Sequence, residues 1–538
     1  MKLNWKLLLI ILFAAYLRLY QLGNVPPSLD WDEVSLAYNA KALLETGKDE
    51  YGNSWPITIR SFNDYKPALY TYILIPSIAV FGESNFAIRL PSALLGTLTV
   101  LMTYLLVVEL FSNKNDSLYT PRKTIALVAS LLLTISPWHA HFSRVAFEAN
   151  IGLSFFIAGM YCFQKARKNP WWLVGSAGAF GLSLMAYHST KVIIPLLMGV
   201  IIWPYLKGFF AAPWALISAT IIALLFGGLI LRTIQLGVGQ ARLNTVSIMT
   251  IDNLLDNSRH RIEAENYSLT SRIINHRYVA YFKEVAGGYL DHFDPKFWFI
   301  EGDSIERLTF VKTMGLLFWW EAIFLIVGLL YLASHPGNNK KVIFAWFLLA
   351  PAAASLTSGT PNAIRSIYFL PTFQIFISVG IITVMSWLKQ PNIWVRIMAL
   401  GYVFGAIVNV GVYFHHYYTH ASGETSSGWQ YGYQPMIEWV MKEKDKYNKV
   451  IITTSYDQPY IYTLWYGKYS PRQWQNDGEF AKRFDIFEFR SIKWEEDKNL
   501  PNTLLIGTSD EIKGKDHILW SINFLDNSPA FLATKSER

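Results

Sequence analysis

One cysteine, Cys162, stands in a chain of 538 residues, so no internal disulfide can form, and a cysteine-ligated zinc site is disfavoured. Charge is sparse as well. Asp, Glu, Lys and Arg make up 16% of the residues, where a soluble domain carries about 25%. No glycine-rich phosphate loop occurs, which argues against an ATP-driven pump. Internal repeats and low-complexity tracts are missing too. What is abundant is apolar: 52% hydrophobic and 16% aromatic residues, the balance of an integral membrane protein with soluble parts. The formal charge of +8 then belongs to loop placement, since cytoplasmic loops favour Lys and Arg, and it calls for no nucleic-acid partner. The N-terminus, MKLNWKLLLIILFAAYLRLYQLG, joins a basic start to an apolar run without a clear small-x-small cleavage site, which reads as a retained anchor.

Apolar runs cover 3–22, 86–111, 124–136, 151–163, 171–187, 192–206, 209–231, 315–333, 342–358, 366–388 and 393–414. A spanning helix needs about 20 mostly apolar residues. The runs 124–136, 151–163 and 192–206 are short and span only with polar ends buried in protein. One more run, 68–82, is settled by the positive-inside rule. If it does not span, Lys2, Lys6, Lys114, Arg122, Lys123, Lys165, Arg167, Lys168, Lys207, Lys340, Lys341 and Lys389 all face the cytoplasm. It is therefore expected to be a juxtamembrane or re-entrant helix broken near Pro76. The fold class that follows is an α-helical polytopic membrane domain, 1–414, with about eleven spans and its N-terminus inside. A small extracytoplasmic α/β domain, 415–538, completes the chain. The outer loops are 23–85, 137–150, 232–312 and 359–365. In the tail, KVIITTS and NTLLIGTS read as buried strands and PMIEWVMKEKDKY as an amphipathic helix.

The first outer loop begins SLDWDEVSLAYNAKALLETGKDEYGN, with Asp30, Asp32 and Glu33 inside four positions. A membrane edge ordinarily collects Trp, Tyr, Lys and Arg. Asp30 and Glu33 fit a capping box for a helix from Trp31 to Thr46, stopped by Gly47. Val34, Ala37, Tyr38 and Leu44 would give that helix an apolar stripe suited to the membrane surface. Asp32 is left without a structural task. Chemistry supplies one. When a sugar moves from a lipid phosphate to a hydroxyl, the phosphate departs without a proton, so one carboxylate base suffices, with cations beside it to hold the departing phosphate.

PPSLDWDEVSLAYNAKALLETGKDEYGNSWP, followed by NDYKPALYTYILIPSIAVFGESNFAIRLPSALLGTLTV, resembles the N-terminal region of polyprenyl-phosphate-sugar-dependent glycosyltransferases of the GT-C fold. Within these it is similar to the protein O-mannosyltransferase and lipid A aminoarabinose transferase superfamily, in bacterial form; GGYLDHFDPKFWFIEGD and RSIYFLP add to the likeness. The resemblance implies that Asp32 is the catalytic base, with Glu33 its partner and Glu148 a second acidic residue near the acceptor. It likewise implies that Lys66, Arg144 and Arg365 meet the donor phosphate. Plainer roles stand beside these: headgroup anchoring for Lys66 and Arg89, an Arg144–Glu148 helix pair, and snorkelling for Arg365.

His139, His141, His415, His416 and His420 invite a divalent metal, but no carboxylate stands at close ligand spacing in either group, and flanking aromatics favour an interfacial belt; no cofactor is firmly implied. Glu321, inside an apolar run, lines a lipid groove or pairs with a neighbouring helix. The expected function is an inverting glycosyltransferase in a bacterial plasma membrane. It would carry a sugar from a polyprenyl monophosphate to a hydroxyl of a protein, lipid or glycan acceptor outside. The rival is a transporter or flippase for lipid-linked glycans, which would spread ionisable residues along a path through the spans. A non-catalytic scaffold would leave Asp32 dispensable. Single cysteines introduced near Glu33, Glu148 and Asp457 should accept a membrane-impermeant label from outside, and one beside Arg167 only from inside; outside labelling beside Arg167 would invert the map.

Overall fold

The computed structural model describes the chain except residues 1–3, 63, 114–117, 119, 236, 238–246, 249–251, 336, 389–391, 478–482, 514–516 and 538. Lys2, Lys114 and Lys389 of the basic loops lie outside the described residues. Helix α1 (Trp5–Leu19) packs on the helix Arg122–Ile135 and on a long helix, Asn85–Leu110, which also meets Glu148–Ala166. A second pair, Glu321–Ser334 and Thr372–Trp387, is in tighter contact. There a side chain at Gly328 would strike the Phe376 carbonyl, and one at Gly380 the Phe324 carbonyl. Two backbones thus touch through glycines, the small-residue packing that membrane helices use.

Among the described residues, Asn85–Leu110, Pro213–Gln235, Ile367–Trp387 and Ile393–Thr419 are long and apolar enough to cross a membrane. Thr190–Ile201 and Trp203–Phe210 qualify together as one span bent by 48°. Others, such as Trp172–Leu184 and Glu321–Ser334, are shorter apolar helices.

Helix α2 (Trp31–Thr46) begins in the expected capping box, Asp30 accepting from the Glu33 N–H and Glu33 from the Asp30 N–H, and stops at Gly47 with φ of 71°. Its surroundings differ from expectation. Val34, Ala37 and Tyr38 are fully buried, and so are Ser35 and Asn39 on the polar side. The helix does not lie on a membrane surface; it is enclosed between α3 (Leu69–Phe81) and the C-terminal helices Pro459–Tyr466 and Pro471–Asp477. It tolerates burial because its polar groups are satisfied: Asn39 donates to the Ser35 carbonyl, and Lys41 pairs with Glu83. Helix α3 is also a correction. It runs through Pro76 unbroken and ends at Gly82. Pro76 removes one N–H from the ladder, and packing on α2 and on Asn85–Leu110 holds the rest.

The helix Ile393–Thr419 continues past 414 and leads into the C-terminal region. There six strands, β3 (Lys449–Ile452), β4 (Arg483–Phe484), β5 (Phe487–Phe489), β6 (Thr503–Gly507), β7 (Ile518–Asn523) and β8 (Pro529–Lys535), form a sheet in the order β4-β5-β3-β6-β8-β7. The central β3 runs parallel to β5 and β6; the outer pairs are antiparallel. β3 and β6 are the two apolar runs read as strands, and burial on both faces explains why they do not alternate.

This domain holds the segment 23–85 through side-chain bonds. Tyr462 donates to the Leu29 carbonyl (3.2 Å) and Gln475 to that of Asp49 (2.8 Å). Glu50 receives Tyr460 Oη (3.3 Å) on one oxygen and Asn39 Nδ2 (3.1 Å) on the other. Burial pushes the Glu50 carboxyl up from 4.5 to about 8. A raised acid releases its proton later folded than unfolded, so its stabilising contribution is complete below about pH 4.5 and lost as pH rises towards about 8. Melting curves should show native stability falling over this interval relative to Glu50→Gln, whose side chain does not titrate; parallel curves would contradict it.

Candidate active site

A two-stranded hairpin, β1 (Thr58–Ser61) and β2 (Asp64–Pro67), pairs Ile59 with Lys66 and carries Lys66 to the N-terminus of α2. Lys66 Nζ stands 2.5 Å from Asp32 Oδ1 and 3.9 Å from Glu148 Oε1. Glu148 is the first residue of the helix Glu148–Ala166 and is nearly buried. From the segment 232–312 comes Arg307, its Nη1 3.1 Å from Asp32 Oδ2 and 3.2 Å from Asp30 Oδ2, with its guanidinium 4.5 Å above the Trp31 ring. Arg307 is held in turn through its backbone, because His141 Nε2 lies 2.9 Å from its carbonyl. Burial lowers His141 to about 4 and keeps it neutral, so Nε2 donates to that carbonyl while Nδ1 accepts from Tyr417 Oη at 3.0 Å.

Electrostatics separates the carboxylates. Burial opposes the charge of Asp32, but the ammonium of Lys66 and the guanidinium of Arg307 outweigh it and hold the group at about 2. For fully buried Asp30, burial dominates and raises it to about 7 against the pull of Arg307. Burial raises Glu148 as well, opposed by Lys66. Asp32, about a quarter exposed, is thus the firmly ionised carboxylate between two cations. Burial thus works against charge on Asp30 and Glu148, which leaves Asp32 as the carboxylate that the two cations hold.

Glu33 does not join this cluster. It is fully buried and paired with fully buried Arg89, Nε to Oε1 and Nη2 to Oε2 both at 2.9 Å, and it accepts the Ala146 N–H as well. Arg89 also donates to the carbonyls of Pro26 and Ser28. Arg144 lies apart too. It donates to the Leu17 (2.9 Å) and Val25 (2.8 Å) carbonyls and sits over the Tyr418 ring. It does not pair with Glu148, whose ionic partner is Lys66. Arg365 donates to Thr357 Oγ1 and the Ser358 carbonyl within its own loop, and no ion pair joins it to the cluster among the described residues. Tyr187 feels the charges of Arg365, Glu148, Asp32 and Arg307 together, so Arg365 lies within electrostatic reach of the same space. Among the described residues, no three of His, Cys, Asp and Glu group as metal ligands. The buried Glu321 caps its own helix by accepting the Phe318 N–H.

Arg307 is the residue that sequence reasoning missed. It stands four positions beyond GGYLDHFDPKFWFIEGD, a segment already noted for its likeness to bacterial members, and that proximity was the available signal.

Comparison with known proteins agrees with this architecture. The family model for dolichyl-phosphate-mannose-protein mannosyltransferase matches residues 65–230. No curated protein matches the chain by sequence. The structure of ArnT from Cupriavidus metallidurans bound to undecaprenyl phosphate is similar in fold, with a TM-score of 0.55 at 12% identity, covering 98% of this chain and 97% of that one. The Archaeoglobus fulgidus oligosaccharyltransferase in complex with Zn and sulfate gives 0.50 at 11%, over 86% of this chain and 61% of that one. The fold is thus one that this chain shares with both structures over most of its length. At these identities the likeness is one of fold, and the family model matches residues 65–230 of the 538.

Removing Arg89 would leave Glu33 as a lone buried charge, a loss of about 3–5 kcal/mol. Chemical unfolding in detergent should therefore find Arg89→Ala far less stable than Lys66→Ala, whose partner Asp32 can reach water. Equal stability would mean that the pair does not anchor the loop.

Proposed function

We propose that the protein is an inverting glycosyltransferase taking its sugar from a polyprenyl monophosphate, with Asp32 as general base. One observation carries this reading: a single ionised carboxylate is held between an ammonium and a guanidinium, at the edge of a bundle of apolar helices. The donor phosphate competes with Asp32 for Lys66 and Arg307. As these cations turn to the phosphate, Asp32 loses their stabilisation and becomes a stronger base, so base strength rises when the donor is bound. The acceptor hydroxyl gives its proton to Asp32 as its oxygen bonds to the anomeric carbon. The bond from that carbon to the phosphate oxygen breaks on the opposite side, inverting the configuration, and the electron pair leaves with the phosphate, which needs no proton. Glu148 neighbours Lys66 on the acceptor side. Glu33 and Arg144 position: Glu33 fixes α2 through Arg89, and Arg144 ties the end of α1 to Val25. Arg365 is assigned to the rim, where it adds positive potential.

In this reading residues 1–414 make the membrane domain with about eleven spans, short helices completing those that are broken. Residues 415–538 form the outer domain, and the positive-inside rule puts the site and this domain outside. The bound undecaprenyl phosphate of the C. metallidurans protein supports the donor class. A flippase finds no support from the ion pairs, whose cluster joins outer loops rather than marking a path through spans.

Transfer from a lipid donor in detergent should fall about 10²–10⁴-fold in Asp32→Asn, which cannot take the proton. Lys66→Ala and Arg307→Ala should each weaken donor binding by about 1.5–3 kcal/mol, the range for a hydrogen bond to a charged group. Native turnover by Asp32→Asn would end the assignment of the base, and unchanged donor titrations in both cation variants would end that of the phosphate site.

A further inference from the structure

On the other side of the hairpin from Lys66 lies a cavity of about 430 Å³ lined by Asn53, Ser54, Trp55, Thr58, Tyr65 and Arg232, among others. Side chains alternate along a strand, so Tyr65 faces away from the neighbouring Lys66 and the active centre. Trp55 has φ of 42°, a backbone region that costs a bulky residue energy, and outliers of this kind cluster at functional sites. Its indole stacks on Tyr72, with centroids 6.0 Å apart and an interplanar angle of 15°, yet the residue remains 62% exposed. A costly conformation thus presents a braced aromatic surface to the outside. Arg232, at the end of the helix Pro213–Gln235, is exposed and has no hydrogen-bond or ion-pair partner among the described residues. Among the described residues, no carboxylate lines the cavity to neutralise it. The other polar groups are an amide and hydroxyls. Asn53 is held by its amide nitrogen on Asp49, which leaves its oxygen to accept.

These features describe a ligand with a flat, partly apolar face, several hydroxyls and a negative charge. Building on the transferase reading above, we propose that this cavity binds an anionic sugar unit of an extended glycan acceptor, at a distance from the reacting hydroxyl. Trp55 would take the ring face, Asn53, Ser54, Thr58 and Tyr65 its hydroxyls, and Arg232 its uronate or phosphate. A phospholipid headgroup fits less well, since one cation stands among many neutral groups suited to a polyhydroxylated ring.

Calorimetric titration of the full-length protein in detergent with tetragalacturonate, mannose 6-phosphate and neutral maltotetraose tests this. An acidic probe should bind about tenfold or more tightly than maltotetraose, and Trp55→Ala and Arg232→Gln should each weaken that binding by a similar factor, as for a charged hydrogen bond. Whichever acidic probe binds better identifies the anion as uronate or phosphate. Undecaprenyl phosphate binding, followed in the same variants and in Lys66→Ala, should depend on Lys66 and not on Trp55 or Arg232. Absence of binding by both acidic probes, parity with maltotetraose, or indifference to both substitutions would overturn the subsite. So would loss of probe binding in phosphatidylglycerol nanodiscs, which would give Arg232 to lipid headgroups. Lipid binding indifferent to Lys66 would instead count against the donor site, so the two readings fail separately.

Discussion

The Glu33 carboxylate and the Arg89 guanidinium, neither of which meets water, fix α2 to the helix Asn85–Leu110. Arg89 stands one turn into Asn85–Leu110, and Glu33 in the first turn of α2, so the pair welds a membrane helix to the helix that carries Asp32. Desolvating both charges is expensive, and the geometry repays it with two parallel hydrogen bonds to the carboxylate, further bonds from Arg89 to backbone carbonyls, and the Ala146 N–H on Glu33. Everything at the site hangs from this joint: the direction of α2, the reach required of Lys66, and the place where Arg307 meets two carboxylates.

Adjacent acidic residues thereby acquire different chemistry. Asp30 is capped, buried and raised; Asp32 is ionised and partly open; Glu33 is locked in an ion pair. Helical geometry turns neighbouring side chains by about a third of a circle or less, enough here to give each carboxylate its own surroundings. The C-terminal domain closes over the far face of α2, so the helix is held on the side of Asn85–Leu110 by an ion pair and on the side of that domain by aromatic packing and neutral hydrogen bonds.

Much of this was legible in the sequence where its causes are local. The capping box spans four residues, Gly47 marks its own stop, and the two buried strands of the tail announce themselves by unbroken apolar runs. Lys66 could be placed because a family pattern links it to the Asp-Glu pair. The burial of α2 was not legible, because its apolar stripe serves equally for a membrane surface or for a second domain, and only the arrival of the helix Pro459–Tyr466 decides. Arg307 was hidden for a similar reason: it lies 275 residues from Asp32, and an arginine in a polar loop carries no mark of its partner. Arg144 looks in sequence like any outer-loop cation, and its carbonyl partners Leu17 and Val25 have no side-chain signature at all.

The distance along the chain between Asp32 and Arg307 has a consequence for biosynthesis. Chains are made from the N-terminus, and the carboxylates have been made while Arg307 and the tail are still to come. Until then Asp32 has Lys66 but not its second cation, and α2 has no roof. The cluster is therefore a late product of assembly, and a chain that stops short of Arg307 has Asp32 beside Lys66 alone.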